Sequence, residues 1–222
     1  MKRRPEPELM DETEQARAYA EADFSEPNDL FLKLLRELHP GDLAGKRALD
    51  LGCGPADIVL RFLQAYPGVE CDAVDGSAPM LAHADQALSA LPGLARRCRL
   101  IQATLPSDKL PTGAYDLVLS NSLLHHLHEP QVLWHTVREA AKPGAFVLIM
   151  DLMRPPSAMW AESLVATYAA DAPEVLRRDF RNSLFAAFEP AEVTTQLAEA
   201  GLKGLEVGVV SDRHLAVMGR MD

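Results

Sequence analysis

Two glycines and one aspartate are the residues whose spacing points most directly to chemistry. The stretch LDLGCGP at residues 49–55 places Gly52 and Gly54 in a turn after an apolar run, and Asp75 lies 21 residues beyond the second glycine. Glycines let a ligand approach the backbone closely, and a carboxylate at this distance can accept hydrogen bonds from both ribose hydroxyls. Asp57 stands where a dinucleotide fingerprint has its third glycine. The pattern predicts a site for a nucleoside-bearing cofactor, the alternative being an ordinary tight turn with an incidental surface Asp75.

A histidine cluster is the second feature that could do chemistry. It comprises His125, His126, His128 and His135. Histidine has the side-chain pKa closest to neutrality, so His125 or His126 could act as a general base. A metal site that uses His125 and His128 lacks a nearby Asp, Glu or Cys to complete it, and we expect no metal. The alternative, which the sequence favours, is that the histidines fill and hydrogen-bond the start of a helix.

The elements that must position these residues follow from an alternation of apolar runs and turns. Short apolar runs predict strands at residues 47–51, 69–75, 97–103, 115–120 and 145–150. Helical periodicity predicts helices between them at residues 58–66, 78–91 and 130–141. Strands separated by helices of about ten residues indicate βαβ units and a parallel sheet covered on both faces. Ligands of such sheets bind beyond the carboxyl ends of the strands, where both groups of residues fall.

The C-terminal part completes the predicted fold. After a helix at residues 190–200, the runs 205–210 and 214–219 predict an antiparallel hairpin at the sheet edge. The fold class is therefore α/β: a Rossmann-like, doubly wound, mostly parallel seven-stranded sheet with an antiparallel C-terminal edge hairpin, plus a helical cap. We assign residues 1–222 to a single domain. Its parts are an N-terminal helical lid at 1–40, a cofactor-binding core at 46–151, the cap at 152–189 and the C-terminal helix and hairpin at 190–222.

The N-terminal part carries fewer signals. Residues 1–8 are polar and contain prolines, which predicts a mobile segment, and residues 12–24 predict a short helix. An amphipathic helix follows, with Asn28 or Asp29 as the expected N-cap. Tyr19 could close the ligand pocket from this side.

The segment 152–189 holds five of the 13 aromatic residues in 38 of 222 positions, more than twice an even share. An aromatic cap that starts beside the crevice suits a partly apolar organic substrate, the alternative being that these residues only attach the cap to the sheet. Arginines on the cap could hold a carboxylate or phosphate of that substrate. The predicted substrate contacts are Arg154, Trp160, Tyr168 and Arg181.

Composition narrows the class of partner. The chain has 22 Lys and Arg against 32 Asp and Glu, a formal net charge of −10, and no basic stripe, so we expect no nucleic-acid partner. The longest apolar stretch, residues 145–150, is far below the roughly 20 residues that span a bilayer, and the polar start does not resemble a signal peptide. Three cysteines without metal or redox spacing predict reduced thiols. We expect a cytoplasmic protein that acts on a small molecule, without membrane partners; the oligomeric state stays open, a homodimer being one option.

Four motifs carry a resemblance to a known family. ALDLGCGP at residues 48–55, VDGS at 74–77, DLVLSNSLLHHL at 116–127 and REAAKPGA at 138–145 occur in order at suitable spacing. Together they resemble class I S-adenosylmethionine-dependent methyltransferases over about residues 46–151, in particular the small-molecule branch of ubiquinone and menaquinone biosynthesis. The resemblance implies the Rossmann-like fold, S-adenosyl-L-methionine as cofactor and methyl transfer to a small organic acceptor by in-line displacement.

The resemblance also implies roles for individual residues at both ends of the cofactor. The methionine part would lie on the turn after the first strand, with Asp50 orienting its amino group; the residues at this end are Asp50, Gly52, Cys53, Gly54, Asn121 and Ser122. The ribose would be held by Asp75, with the adenosine beside the following residues; this end comprises Asp75, Gly76, Ser77 and Met80. Ala103 and Thr104 replace the family's usual Gly-Asp pair, so the adenine contact there falls to a backbone group or the Thr104 hydroxyl.

Three other functions keep parts of this pattern. The same fold could bind a modified S-adenosylmethionine for non-methyl chemistry, or serve as a regulatory or partner-binding module without cofactor. An NAD-dependent oxidoreductase is disfavoured by the missing third glycine and by the absence of a hydride-transfer constellation.

Overall fold

The computed structural model describes residues 1–222. Seven strands form the sheet: β1 (Arg47–Leu51), β2 (Glu70–Asp75), β3 (Cys98–Gln102), β4 (Tyr115–Asn121), β5 (Ala141–Leu152), β6 (Leu205–Val209) and β7 (His214–Arg220). The helices are α1 (Thr13–Glu21), α2 (Ser25–Leu38), α3 (Asp57–Ala65), α4 (Ala78–Ser89), α5 (Pro92–Ala95), α6 (Gln131–Ala140), α7 (Ala158–Tyr168), α8 (Glu174–Ala186) and α9 (Pro190–Ala200). A single 3₁₀ turn covers Leu124–His126.

The strands are arranged in the order β3-β2-β1-β4-β5-β7-β6. The first five pair in parallel, and β7 lies antiparallel between β5 and β6. The chain winds outward from β1 in one direction and from β4 in the other, so the carboxyl ends of these two neighbours form the switch point of the sheet. The predicted fold class, with its antiparallel C-terminal hairpin, is confirmed.

Alternating side chains of the central strands feed two separate cores. Leu49 and Val118 belong to a core shared with α6 and α9, in which Trp134 is fully buried. Ala48 and Leu117 point to the opposite core, where α2 and α3 pack with Phe31 and Phe62 among other residues. This two-sided burial explains why the parallel strands read as continuous apolar runs.

Several predicted element boundaries are wrong for local reasons. Helix α2 begins at Ser25 rather than after Asn28 or Asp29, because the Asp23 carboxylate accepts a hydrogen bond from the Ser25 N–H at 2.9 Å and Asn28 is buried inside the helix. Strand β5 begins at Ala141, four residues before the predicted start. Ala141 already pairs with Tyr115, and the register then shifts before the pairing resumes.

The N-terminal residues expected to be mobile pack across the carboxyl edge of the sheet. We call residues 3–10 the strap. Arg3 donates from Nε to the Ala186 carbonyl at 2.6 Å, and the Arg4 N–H donates to the Phe185 carbonyl at 2.9 Å. These arginines bind carbonyls left unpaired at the end of α8, so the segment has a packed position, and its mobility stays a prediction.

None of the helices is both long and apolar enough to cross a membrane. The three cysteines are free thiols, with Cys53 and Cys71 buried and Cys98 half-buried. Burial raises the pKa of all three thiols, so these side chains behave as small apolar groups of the core.

Candidate functional site

A cavity of about 370 Å³ opens at the carboxyl ends of β1, β2 and β4. It lies at the switch point, where ligands of open α/β sheets bind. The structure brings together every residue that the sequence assigned to the cofactor: the lining includes Tyr19, Asp50, Gly52, Cys53, Gly54, Asp75, Gly76, Ser77, Met80, Ala103, Thr104, Asn121 and Ser122.

Both glycines of the turn after β1 have a positive φ, a backbone conformation that favours glycine. Gly52 has φ +72°, and a Cβ there would lie 2.9 Å from the Cβ of Leu123. Gly54 has φ +52°, and no protein atom lies within 4 Å of where its Cβ would be. A side chain at Gly54 would therefore strain the backbone and reduce the space that faces the cavity.

Asp75 is tied to this turn at the end of β2. Its Oδ2 accepts a hydrogen bond from the Gly54 N–H and its Oδ1 accepts one from the Ser77 N–H, both at 2.8 Å. Burial raises the pKa of the Asp75 carboxyl, and these two backbone donors oppose that rise. The carboxylate is thus held in one orientation at the cavity wall with acceptor capacity left for a ligand.

Asp50 lies on β1 beneath the glycine turn and has no hydrogen-bond partner on either carboxylate oxygen. Burial, together with repulsion from Asp75, raises the pKa of Asp50 to about 8. The Oδ1 of Asn121 is also buried and unpartnered in the lining of the same cavity. Unpaired buried acceptors are costly, so this end of the cavity is suited to a ligand that brings hydrogen-bond donors, above all a cation.

The other end of the cavity lies where the strap approaches the carboxyl end of β2. A Cβ on Gly76 would lie 2.6 Å from a Leu9 methyl and 3.2 Å from a Thr104 methyl, which shows how closely strap and sheet approach there. Ser77 caps α4 through the Met80 N–H, and its hydroxyl also donates to the Met10 carbonyl at 2.8 Å.

His125 and Asp151 form a buried pair beside the cavity. The Asp151 Oδ1 lies 2.5 Å from the Nδ1 of His125, and Asp151 Oδ2 accepts a hydrogen bond from the His125 N–H at 3.2 Å. Burial acts to lower the pKa of His125, but the charge and hydrogen bond of Asp151 outweigh it, and the pKa is raised overall. With Nδ1 directed at Asp151, Nε2 is the nitrogen left for proton transfer.

His126 lies beside this pair and lines the cavity. Its Nδ1 is 3.3 Å from the Pro7 carbonyl of the strap, and its ring centroid lies 4.3 Å from that of His125, with the two planes tilted by 35°. Burial, followed by the charge of His125, lowers the pKa of His126 to about 3. At neutral pH His126 is therefore uncharged.

The four residues predicted to contact substrate do not line the cavity. Arg154 is buried in ion pairs with Glu189 and Glu192, at 2.9 and 2.8 Å. Arg181 pairs with Glu162 on the surface, and the Tyr168 hydroxyl donates to Asp212. Trp160 is 53% exposed on the outside of α7. Each side chain is held or directed away from the cavity, which corrects the prediction.

The aromatic cap is likewise a packing element in this structure. Phe188 is buried in the core beneath α6 and α9, and Phe180 and Phe185 pack with α7 and α8. None of the aromatic residues of segment 152–189 lines the cavity, so the alternative of attachment to the sheet fits better.

The sequence missed the contribution of the strap. Glu8, Leu9 and Met10 line the cavity, and Phe24 and Asn28 join them from the start of α2. No motif marked these residues; the only signal was a proline on each side of Glu6, which favours an extended strand-like path.

Comparison with known proteins adds to this geometry. Residues 49–147 match a family described as a methyltransferase domain. The match covers 99 of the 222 residues, and that part of the chain is similar to the family. The matched residues run from within β1 to Val147 of β5 and include the glycine turn, Asp75 and the 3₁₀ turn with its histidines. The resemblance to class I methyltransferases is confirmed.

Relatives and solved structures extend the likeness beyond the methyltransferase domain. The ubiquinone biosynthesis O-methyltransferase of Bordetella pertussis is 28% identical over 166 residues, which cover 73% of this chain and 64% of that protein. The chain thus matches less than two thirds of that relative's length. A SAM dependent methyltransferase from Aquifex aeolicus superimposes with a TM-score of 0.68 at 19% identity, covering 95% of this chain and 99% of its own.

One solved neighbour contains the cofactor. The phosphoethanolamine N-methyltransferase 2 of Haemonchus contortus, solved in complex with S-adenosyl-L-methionine, has a TM-score of 0.65 at 15% identity and covers 87% of this chain and 52% of its own. At this identity the likeness concerns the fold.

Proposed function

We propose that this protein transfers a methyl group from S-adenosylmethionine to a hydroxyl of a small, partly apolar organic acceptor. The observation that carries the proposal is the unpartnered carboxylate of Asp50 at the floor of the cavity, with the fixed carboxylate of Asp75 facing the same space. A ligand with a cationic amino end and a ribose matches both groups at once.

The lining suits each part of this cofactor. Asp50 and the Oδ1 of Asn121 would accept hydrogen bonds from the amino group, and the glycine turn leaves room for the methionine backbone. Asp75 would accept the ribose hydroxyls. The apolar groups of Leu9, Met80 and Thr104 would enclose the adenine. When bound, the sulfonium supplies a methyl group that is already activated by its positive charge.

The chain's own contribution to the reaction is alignment and proton removal. His125 is the general base of the proposal, because Asp151 fixes its orientation and favours the protonated form that follows proton uptake. The uncharged His126 lines the cavity beside this base and would contact the acceptor. The relatives named as O-methyltransferases support a hydroxyl as the group that loses the proton.

Several wider expectations belong to the same proposal. A cytoplasmic location, the absence of nucleic-acid partners and the division into lid, core, cap and C-terminal parts remain proposals that rest on the sequence. A cofactor-free regulatory module and a modified sulfonium are not favoured, since the family and its neighbours are methyltransferases.

Calorimetric titration tests the cofactor class before any acceptor is known. S-adenosylmethionine and S-adenosylhomocysteine should both bind with one site per chain, whereas NAD should not bind. Transfer of a labelled methyl group to a panel of small phenols would then test the reaction. Absence of binding by both sulfur compounds would overturn the proposal at its first step.

A further inference from the structure

The Glu6 carboxylate of the strap occupies a polar corner beside the proposed base. Its Oε1 lies 3.6 Å from the Nε2 of His125 and 3.6 Å from the Nδ1 of His126. The hydroxyl of Ser183, on α8, donates to the same oxygen at 2.9 Å. The Glu6 side chain is only 10% exposed. Two imidazoles and a hydroxyl thus converge on one oxygen atom.

The strap is clamped on both sides of this corner. One nitrogen of Arg3, Nη2, donates to the carbonyls of His125 and Leu127, each at 3.0 Å, so the 3₁₀ turn itself holds the strap. On the other side, the His128 N–H donates to the Glu8 carboxylate at 2.8 Å. Glu6 is therefore held at His125 from both sequence directions.

The position of Glu6 prevents His125 from acting as a base. Nδ1 of His125 is engaged by Asp151, so the acceptor hydroxyl has to approach Nε2, and Glu6 is the group beside Nε2. Resting on the function proposed above, we propose that Glu6 stands in for the acceptor oxygen, so that the strap must release His125 before an acceptor with an acidic hydroxyl can bind in its place.

The charged groups around His125 also keep it from acting as a base while Glu6 is in place. Groups from four elements face His125: Asp151 at the end of β5, Glu6 and Arg3 of the strap, His126 of the 3₁₀ turn and His214 of β7. Burial raises the pKa of Glu6, and His125 opposes that rise. With carboxylates at both ring nitrogens, His125 keeps its proton; removal of Glu6 frees Nε2 to accept one.

Replacement of Glu6 by the acceptor hydroxyl involves the transfer of protons at Nε2 of His125. Glu6 leaves as the neutral carboxylic acid and takes the Nε2 proton of His125 with it, so that Nε2 becomes free. When the acceptor then replaces Glu6, its O–H proton passes to Nε2, its oxygen forms the new bond to the methyl carbon, and the carbon–sulfur bond breaks with both electrons going to sulfur. A corner built for a carboxylate oxygen favours acceptors whose hydroxyl has phenolate character over aliphatic alcohols.

Two variants test the contact without any turnover. Glu6→Gln keeps the size of the side chain and removes its charge. Glu8→Gln makes the same change two residues along the strap, where the amide oxygen still accepts from the His128 N–H, so this clamp is kept. Imidazole NMR titration should show the titration midpoint of His125 fall by about one pH unit in Glu6→Gln and stay in place in Glu8→Gln. An unchanged midpoint in Glu6→Gln would contradict the contact.

A pair of probes tests the displacement. Catechol carries two phenolic hydroxyls, and 1,2-dimethoxybenzene has the same ring with both hydroxyls blocked. With S-adenosylhomocysteine present, catechol should speed amide hydrogen exchange in residues 3–10, and its affinity should rise several-fold in Glu6→Gln. The dimethoxy compound should do neither. Equal effects of both compounds, or no effect of catechol, would overturn the inference.

These outcomes are separable from failure of the proposed function. If S-adenosylhomocysteine fails to bind, the cofactor assignment is wrong while the titration of His125 still reports on Glu6. If the cofactor product binds and the Glu6→Gln midpoint does not move, the methyltransferase assignment stands and the strap is ordinary packing.

Discussion

The backbone N–H of Gly54 donates to the Asp75 carboxylate at 2.8 Å, so the turn after β1 and the acidic end of β2 form a single unit. Because the two strands are parallel neighbours, their carboxyl ends meet, and the separation of 21 positions between Gly54 and Asp75 is the length of one α-helical crossover. A change at either residue therefore disturbs the other, and the two can be separated only by matched variants.

Asp75→Ala should weaken S-adenosylhomocysteine binding by about 1.5–3 kcal/mol, the usual loss when charged hydrogen bonds to a ligand are removed. Isothermal titration calorimetry measures it. Asp85→Ala removes a carboxylate from an exposed position of α4 and serves as the control. Equal affinities for both variants would take Asp75 out of the site.

Gly54→Val should abolish cofactor binding while the protein still folds. The positive φ makes a β-branched residue cost about 1–2 kcal/mol of stability. Gly113 offers a matched control, with φ +57° and no atom within 4 Å of a built Cβ, but away from the cavity. Thermal unfolding should show similar losses for Gly54→Val and Gly113→Val, and only the former should lose binding. If Gly54→Val binds normally, the turn does not carry the ligand.

Asp50→Asn should make the ligand-free protein more stable and should weaken its binding of the cofactor. The pKa of Asp50 is raised to about 8 in the folded protein, so wild-type stability falls as pH rises from about 4 to 8, and the variant lacks this loss. We expect a gain of about 1–2 kcal/mol at pH 8 that vanishes near pH 4, since the buried amide also lacks a partner. Denaturant unfolding at several pH values measures it, and a gain independent of pH would contradict the reasoning.

His125→Ala should lower kcat by about 10²–10⁴ with any acceptor that needs deprotonation. The raised pKa of His125 predicts that the rate increases with pH through the range above 6.5. Asp151→Asn should shift that rise to lower pH and reduce the plateau, because the charge that holds the proton is gone. His135→Ala, at an exposed site on α6, is the control. An unshifted profile in Asp151→Asn would leave Asp151 with a purely structural role.

Binding of S-adenosylhomocysteine should protect α1 from amide hydrogen exchange more than α7 or α9. Tyr19 of α1 lines the cavity, and no residue of α7 or α9 does. Mass spectrometry of exchanged peptides resolves the three helices. Similar protection of α7 would restore the aromatic cap to the ligand site.

The sequence was informative where one backbone requirement fixes the residue type. Gly52, Gly54 and Asp75 could be assigned because a close approach and a ribose need these residues at this spacing, and β-α alternation placed them at one edge. Asp151 was not predicted as the partner of His125. The two side chains lie 26 residues apart in the chain, and only the pairing of β4 with β5 brings them together.

The wrong assignments share a physical cause. Arg154 and Tyr168 were placed at the substrate by residue type, but the sequence does not reveal that Glu189, Glu192 and Asp212 engage them. Polar side chains with several possible partners are decided by tertiary contacts. The strap was missed for the same reason, since Arg3 and Glu6 bond to groups more than 100 residues away.

The placement of β7 between β5 and β6 has a consequence for how the sheet is completed. Without residues 214–220, β5 is the edge strand of the parallel sheet, and the backbone groups of Val147 and Ile149 that face β7 have no partner. The side chains of both residues are fully buried in the folded protein. Such an apolar open edge is a template for pairing with another chain. Loss of β7 would therefore expose the edge of β5, the strand that carries Asp151, as a surface for aggregation.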